Sequence, residues 1–131
     1  MAARSNETVP TTADCTIHAA GVRWDAIRVP PDLGDAALRI LGPRSGGVIS
    51  DARFLYWFVP IGTAGSWVVP ATRALGRGQH LVIPPPGRTA GAGRVHWKIC
   101  PGKDALVTPA DALRAALEDA ARLTPRSPES R

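Results

Sequence analysis

The side chains of this chain that could do chemistry are three histidines, two cysteines and a block of arginines. The histidines are His18, His80 and His96. No two share the spacing that brings two imidazoles onto one metal, and none stands beside a cysteine cluster. His80 and His96 would face each other if their strands paired, and two imidazoles so placed can move protons. They are the candidate catalytic residues, although no serine or cysteine is placed with them as a nucleophile. Cys15 and Cys100 form no CxxC unit and read as two separate thiols. Cys100 lies near Lys98 and Lys103, the surroundings in which a thiol becomes reactive. Asp51 is the only acid at the end of an apolar strand. Two-metal chemistry needs convergent carboxylates, and Ser50, Ala52 and Arg53 offer it no partner. Its ordinary role is turn formation. Neither a metal nor a cofactor is expected.

Binding chemistry is written more strongly. From Ala52 to Lys103 there is no aspartate or glutamate, while Arg53, Arg73, Arg77, Arg88, Arg94, Lys98 and Lys103 all fall there. This block contributes +7 and each flank −1, so the whole net charge of +5 sits in the middle. Field adds up where no carboxylate cancels it, which suits an anionic partner. The excess of arginine over lysine, with abundant alanine, glycine and proline, is the usage of a high-GC bacterial genome. Codon usage accounts for some of the arginine but not for the missing acids. Gly76-Arg77-Gly78-Gln79 and the stretch from Gly87 through Arg88 to Gly93 expose backbone N–H groups beside an arginine, as phosphate-cradling loops do. Neither is a P-loop or a dinucleotide fingerprint, and both also read as ordinary sheet connections. Arg73, Arg77, Arg88, Arg94 and Lys98 are the candidate phosphate contacts. Trp67 and Trp97 are the candidates for stacking on a base or ring.

These residues need elements to hold them. The 131 residues suit one domain with its own core. Residues 1–12 and 124–131 lack hydrophobic periodicity and read as disordered tails around a single domain at 13–123. No apolar run approaches the roughly 20 residues of a membrane span, and the polar start has no signal-peptide stretch, so a cytoplasmic location without membrane contact is expected. Cys15 to Val29 reads as one or two short strands. Asp32 to Leu41 has helical spacing, with Asp32 as its cap and Gly42-Pro43 as its stop. Gly47–Ser50 and Phe54–Pro60 read as a hairpin. In the second, Phe54, Tyr56 and Phe58 share one face and Leu55, Trp57 and Val59 the other, so it should be central and covered on both sides. That makes its aromatics core rather than a stacking platform. Arg73–Leu75, His80–Ile83 and Arg94–Cys100 are further strands. Thr108, Pro109 and Asp111 form the start of a last helix, with Leu113, Ala116, Leu117 and Ala120 as its apolar stripe and Arg114–Glu118 as an exposed ion pair. The sum is an α+β domain, a mostly antiparallel sheet of about five or six strands with two packed helices.

Phe54-Leu55-Tyr56-Trp57-Phe58-Val59-Pro60 resembles a strand of the bifunctional primase–polymerase domain, an archaeo-eukaryotic primase-like fold. Leu75 to Pro86, followed by Gly91 to Trp97, resembles that family's hairpin. The family's DxD metal pair has no counterpart, because Asp51 stands alone, and the position of its strand-opening histidine falls on Phe54. The resemblance therefore implies a shortened, non-catalytic relative that keeps the sheet and the arginine-bearing loop. The same stretches are similar to small proteins of high-GC filamentous bacteria, a likeness that implies no function.

The leading expectation is a small non-enzymatic module that binds an anionic ligand, nucleic acid first. A second is a regulatory module that binds another protein or a second copy of itself through helix 32–41 or the Trp67 loop. A third is a small enzyme using His80 or His96 beside the Gly87–Gly93 loop.

Overall fold

The chain is described from a computed structural model, over residues 15–51, 53–89, 95–101 and 106–123. The expected tails at 1–12 and 124–131 lie outside the described residues. The strands are β1 (Thr16–Ala19), β2 (Asp25–Val29), β3 (Val48–Ser50), β4 (Leu55–Val59), β5 (Arg73–Leu75), β6 (His80–Ile83) and β7 (His96–Ile99). The helices are α1 (Pro31–Leu41) and α2 (Ala110–Leu123). Five strands make one antiparallel sheet in the order β5-β2-β4-β3-β7, and β1 pairs with β6 in a separate two-stranded ribbon. The protein is α+β, as its sequence implies.

β4 is the middle strand of the five. Side chains alternate across a strand, so Leu55, Trp57 and Val59 go one way and Tyr56 and Phe58 the other. The first set joins Ile27, Val29 and Val48 under the helices. There α1 contributes Leu33, Ala36, Ala37 and Leu41, and α2 contributes Leu113, Ala116, Leu117 and Ala120. Gly34 lets α1 approach closely, since a Cβ there would stand 2.5 Å from Leu55 Cδ1. The second set joins Ala26, Ile49, Leu75 and Trp97 beneath Ala20, Trp24 and Leu81. The molecule thus has three layers: helices, sheet, ribbon.

The helix starts differ from expectation. α1 begins at Pro31 with Pro30 before it and no side-chain cap, which leaves Asp32 inside the first turn. Proline at the first helical position lacks an N–H that would otherwise have no partner within the helix. Thr108 is fully buried, and its hydroxyl accepts the N–H of Gly46 at 2.8 Å, tying α2's start to β3's entry. Arg114 pairs with Asp111 at 2.8 Å rather than with Glu118.

The ribbon is anchored at one end by a crossing of backbones. Gly21 has φ +83°, and a Cβ on it would stand 2.5 Å from the Arg77 nitrogen. Ala20 N–H donates to Gln79 O at 2.8 Å beside it. Asp25, buried at the start of β2, accepts the N–H groups of Gly62 at 3.0 Å and Ala64 at 2.8 Å and fixes the 3₁₀ turn Thr63–Ser66.

Gly21→Ala should destabilise the fold well beyond Gly78→Ala. Both glycines have positive φ, but nothing lies within 4 Å of a Cβ on Gly78. Urea unfolding should give about 1 kcal/mol for Gly78→Ala, the conformational term alone, and a clearly larger loss for Gly21→Ala.

Candidate functional site

The β3–β4 hairpin is built around one carboxylate. Asp51 N–H donates to Phe54 O at 3.2 Å and closes the turn. Its Oδ1 accepts the N–H groups of Arg53 at 3.0 Å and Phe54 at 2.9 Å, the turn-forming role that aspartate favours. Its Oδ2 accepts the Tyr56 hydroxyl at 2.8 Å. Burial, then this hydrogen bond, pushes the Tyr56 phenol far above its ordinary value of 10.0. Tyr56 is therefore a neutral donor at every physiological pH and cannot serve there as a base.

Around this pair stand arginines that the hairpin does not neutralise. Arg28 on β2 is the register partner of Tyr56, and its guanidinium carbon lies 4.3 Å from the centre of the Phe54 ring. On the other side of β2, Arg28 is directly opposite Arg73 of β5. Like charges opposed across an antiparallel pair repel. Among the described residues neither arginine has a carboxylate in ion-pair distance. Asp51, which lines the same cavity as Arg28, accepts three neutral donors. Arg53 adds a third positive charge close enough to act on Tyr56. Where the ribbon crosses the sheet, a cavity of about 240 Å³ is lined by Arg28, Asp51, Tyr56 and His80, with apolar walls from Ile49 and Leu81.

A second, larger cavity of about 700 Å³ lies at the Phe58 end of β4. Trp24, Phe58 and Trp97 line it, with His18 and Arg23 among its polar residues. Trp24 meets Phe58 edge-on at 4.8 Å, and Phe58 stacks on Trp97 at 6.0 Å.

The basic residues singled out in the sequence do not form one patch. Arg73 joins the cluster just described. Arg77 is exposed in the turn over Gly21, where it lines a shallow depression with Asp25 and Gly62. Arg88 is half-buried beyond the end of β6, with a guanidinium nitrogen 3.8 Å from Cys15 Sγ. Lys98 pairs with Asp35 of α1 at 3.6 Å, on the helix side of the sheet. Arg94 lies outside the described residues, as does most of the loop from Gly87 to Gly93.

The histidines do not pair. β6 belongs to the ribbon and β7 to the sheet. Trp97 points to the ribbon side, so alternation sends its neighbours His96 and Lys98 to the helix side. His80 is exposed at the mouth of the smaller cavity instead.

Neither candidate stacking residue is a surface platform. Trp67 packs against the helix-side core and donates its indole N–H to Thr72 Oγ1 at 2.8 Å. Trp97 is 6% exposed and lies between sheet and ribbon. The apolar face of α1, an expected partner contact, is spent on α2 and the sheet. Both cysteines are free thiols, Cys15 half-buried and Cys100 exposed. Among the described residues no helix is long and apolar enough to cross a membrane. Arg28 and Tyr56 escaped the sequence reading because their importance depends on the β2–β4 register, which no local pattern writes out.

Compared with protein-family models, with curated proteins and with solved structures, the chain matches none.

The raised Tyr56 pKa gives the fold an alkaline weakness. A group that holds its proton more tightly when folded contributes stability below its unfolded pKa and loses it as pH rises beyond that. Stability should therefore fall above about pH 10, the ordinary phenol value. Tyr56→Phe should remove much of that fall while costing about 1 kcal/mol near neutrality. Urea midpoints across the alkaline range would show a flatter curve for the variant. A parallel curve would mean that Tyr56 is not the titrating group.

Proposed function

We propose that this chain is a non-enzymatic binding module for an anionic ligand, nucleic acid first, and that Arg28 and Arg73 are its central contacts. One observation carries the reading. Two arginines are opposed across neighbouring strands with no ion-pair partner among the described residues, a placement that repels in the free protein. An anion between them converts the repulsion into attraction, and bidentate arginine contacts suit phosphate. Arg53 extends the same positive region, and the exposed His80 stands at the cavity mouth. The neutral Tyr56 hydroxyl, fixed by Asp51, adds polarity without charge.

Such contacts position a phosphate backbone and read no sequence, so single strands and duplexes of any sequence should bind, with strong salt dependence. His80 and His96 lie on strands of different sheets, so the paired imidazoles on which the enzyme reading relied do not form.

Anisotropy of labelled single-stranded DNA, titrated from low to physiological salt, tests this. The Arg28→Ala/Arg73→Ala double variant should weaken binding at least tenfold. It should also flatten the log–log salt slope by about 0.7, the contribution of the one phosphate left without its arginines. Arg77→Ala/Lys98→Ala should change both much less, since those side chains lie elsewhere. Arg73→Ala alone should leave the unfolding midpoint unchanged or raise it, because it removes repulsion. Equal weakening in both double variants would mean that charge acts diffusely and would remove the assignment to Arg28 and Arg73.

A further inference from the structure

The depression at the start of β2 holds a buried acid with a bare oxygen. Asp25 is 2% exposed, and both amides that it binds, those of Gly62 and Ala64, go to Oδ2. Its Oδ1 has no hydrogen bond among the described residues. The one sealed side-chain nitrogen or oxygen without a partner among those residues is Trp97 Nε1, so Asp25 Oδ1 keeps a contact with solvent. That contact opens onto a depression of about 550 Å³, which Asp25 lines with Ile61, Gly62, Gly65, Gly76 and Arg77. An opening that admits water to the oxygen also admits an ammonium group, which is of similar size.

Two further features point to an occupant. A buried carboxylate with an unmet oxygen carries a desolvation cost that a charged donor offsets. Arg77 lines the same depression and is exposed, yet among the described residues it has no ion pair, with Asp25 or with any other acid. Its backbone is held at the crossing, where a Cβ on Gly21 would stand 2.5 Å from its nitrogen and 2.6 Å from its Cα. A negative and a positive charge therefore face one space without meeting. The space between them is also kept clear. Gly65 and Gly76 both have ordinary φ. Nothing lies within 4 Å of a Cβ on Gly65, so neither backbone nor packing calls for glycine there. A Cβ on Gly76 would stand 3.9 Å from Asp25 Oδ1, against the bare oxygen.

We propose that this depression binds a free α-amino acid with an aliphatic side chain, its ammonium on Asp25 Oδ1, its carboxylate on Arg77 and its side chain against Ile61. A zwitterion answers both charges at once. Its ammonium supplies the donor that Oδ1 lacks, and its carboxylate matches the planar fork of a guanidinium. Ile61 is 52% exposed and gives an aliphatic chain an apolar surface to cover. The volume falls within the range of small-ligand sites. The inference stands apart from the phosphate-binding reading, because Arg28 and Arg73 are not among the residues that line this depression.

Calorimetric titration of the full chain with L-alanine, L-valine, L-leucine and L-isoleucine tests this. At least one should bind saturably at a single site, and no binding by any of them overturns the inference. The tightest is then compared with two relatives. Its amide keeps the ammonium and loses the carboxylate, and the matching acid without the amine does the reverse. Each should bind at least tenfold more weakly, the scale of one hydrogen bond between charged groups. Equal affinity for either relative overturns the zwitterion assignment. Asp25→Asn keeps an oxygen for the Gly62 and Ala64 amides but removes the charge, and it should lose binding. Gly65→Leu keeps the test sound if that variant does not fold. Its side chain enters open space, so the unfolding midpoint of the free protein should hold while amino-acid affinity falls at least tenfold. Full affinity in Gly65→Leu would place the ligand elsewhere and overturn the site. Binding of single-stranded DNA should be the same in Gly65→Leu as in the unaltered chain, so failure of one reading is seen apart from failure of the other.

Discussion

Burial of β4 on both faces sets the rest of the architecture. A central strand with Leu55, Trp57 and Val59 on one side and Tyr56 and Phe58 on the other needs two covers. Helices supply one, since α1 and α2 together offer eight buried apolar or small side chains in their facing stripes. The other cover is a ribbon of two four-residue strands, too narrow to close over a five-stranded sheet. The result is asymmetric. The helix side is a continuous core, and the ribbon side is a core with openings at both ends. The cavities follow from the mismatch in width between the sheet and its smaller cover.

The same asymmetry sorts the charges. On the helix side Lys98 meets Asp35 and is balanced. At the hairpin Asp51 holds two backbone amides and Tyr56, and Arg28 and Arg73 stand opposed with no carboxylate in ion-pair distance among the described residues. Asp25 shows the contrast. It is as deeply placed as any charged group among the described residues, yet its Oδ2 accepts both the Gly62 and Ala64 amides and serves the fold.

Much of the fold was legible because it rests on local pattern. The alternation in 54–59 gives a strand covered twice, and Leu113, Ala116, Leu117 and Ala120 give a helix with one buried stripe. Asp51 is recognisable as a turn residue from its place between two apolar runs. The helix starts were less legible: α1 opens at Pro31 with no side-chain cap, and the Thr108 hydroxyl accepts a distant amide, that of Gly46. The site was less legible for a similar reason. A block without acids in sequence is not without acids in space: Asp25, Asp35 and Asp51 all come to it from outside. Conversely, Arg28 lies outside the block and becomes part of the cluster only through its partners on β4 and β5.

The ribbon pairs Thr16 with Ile83 and Ala19 with His80, strands far apart in the chain, and it shares no ladder with the main sheet. Bringing such distant segments together carries a loop-closure entropy that the sheet's hairpin does not bear. All four side chains of β1 are exposed, so little apolar burial offsets that cost. With Leu81 as its one deeply buried side chain, the ribbon should open before the helices and the sheet do, and amide exchange in β1 and β6 should be faster than in β4. Opening would uncover Trp24, Phe58 and Trp97 together. Any molecule seated beneath the ribbon would then depend for its residence time on how often that unit lifts, and would slow the amide exchange of β1 and β6 in proportion to its own occupancy.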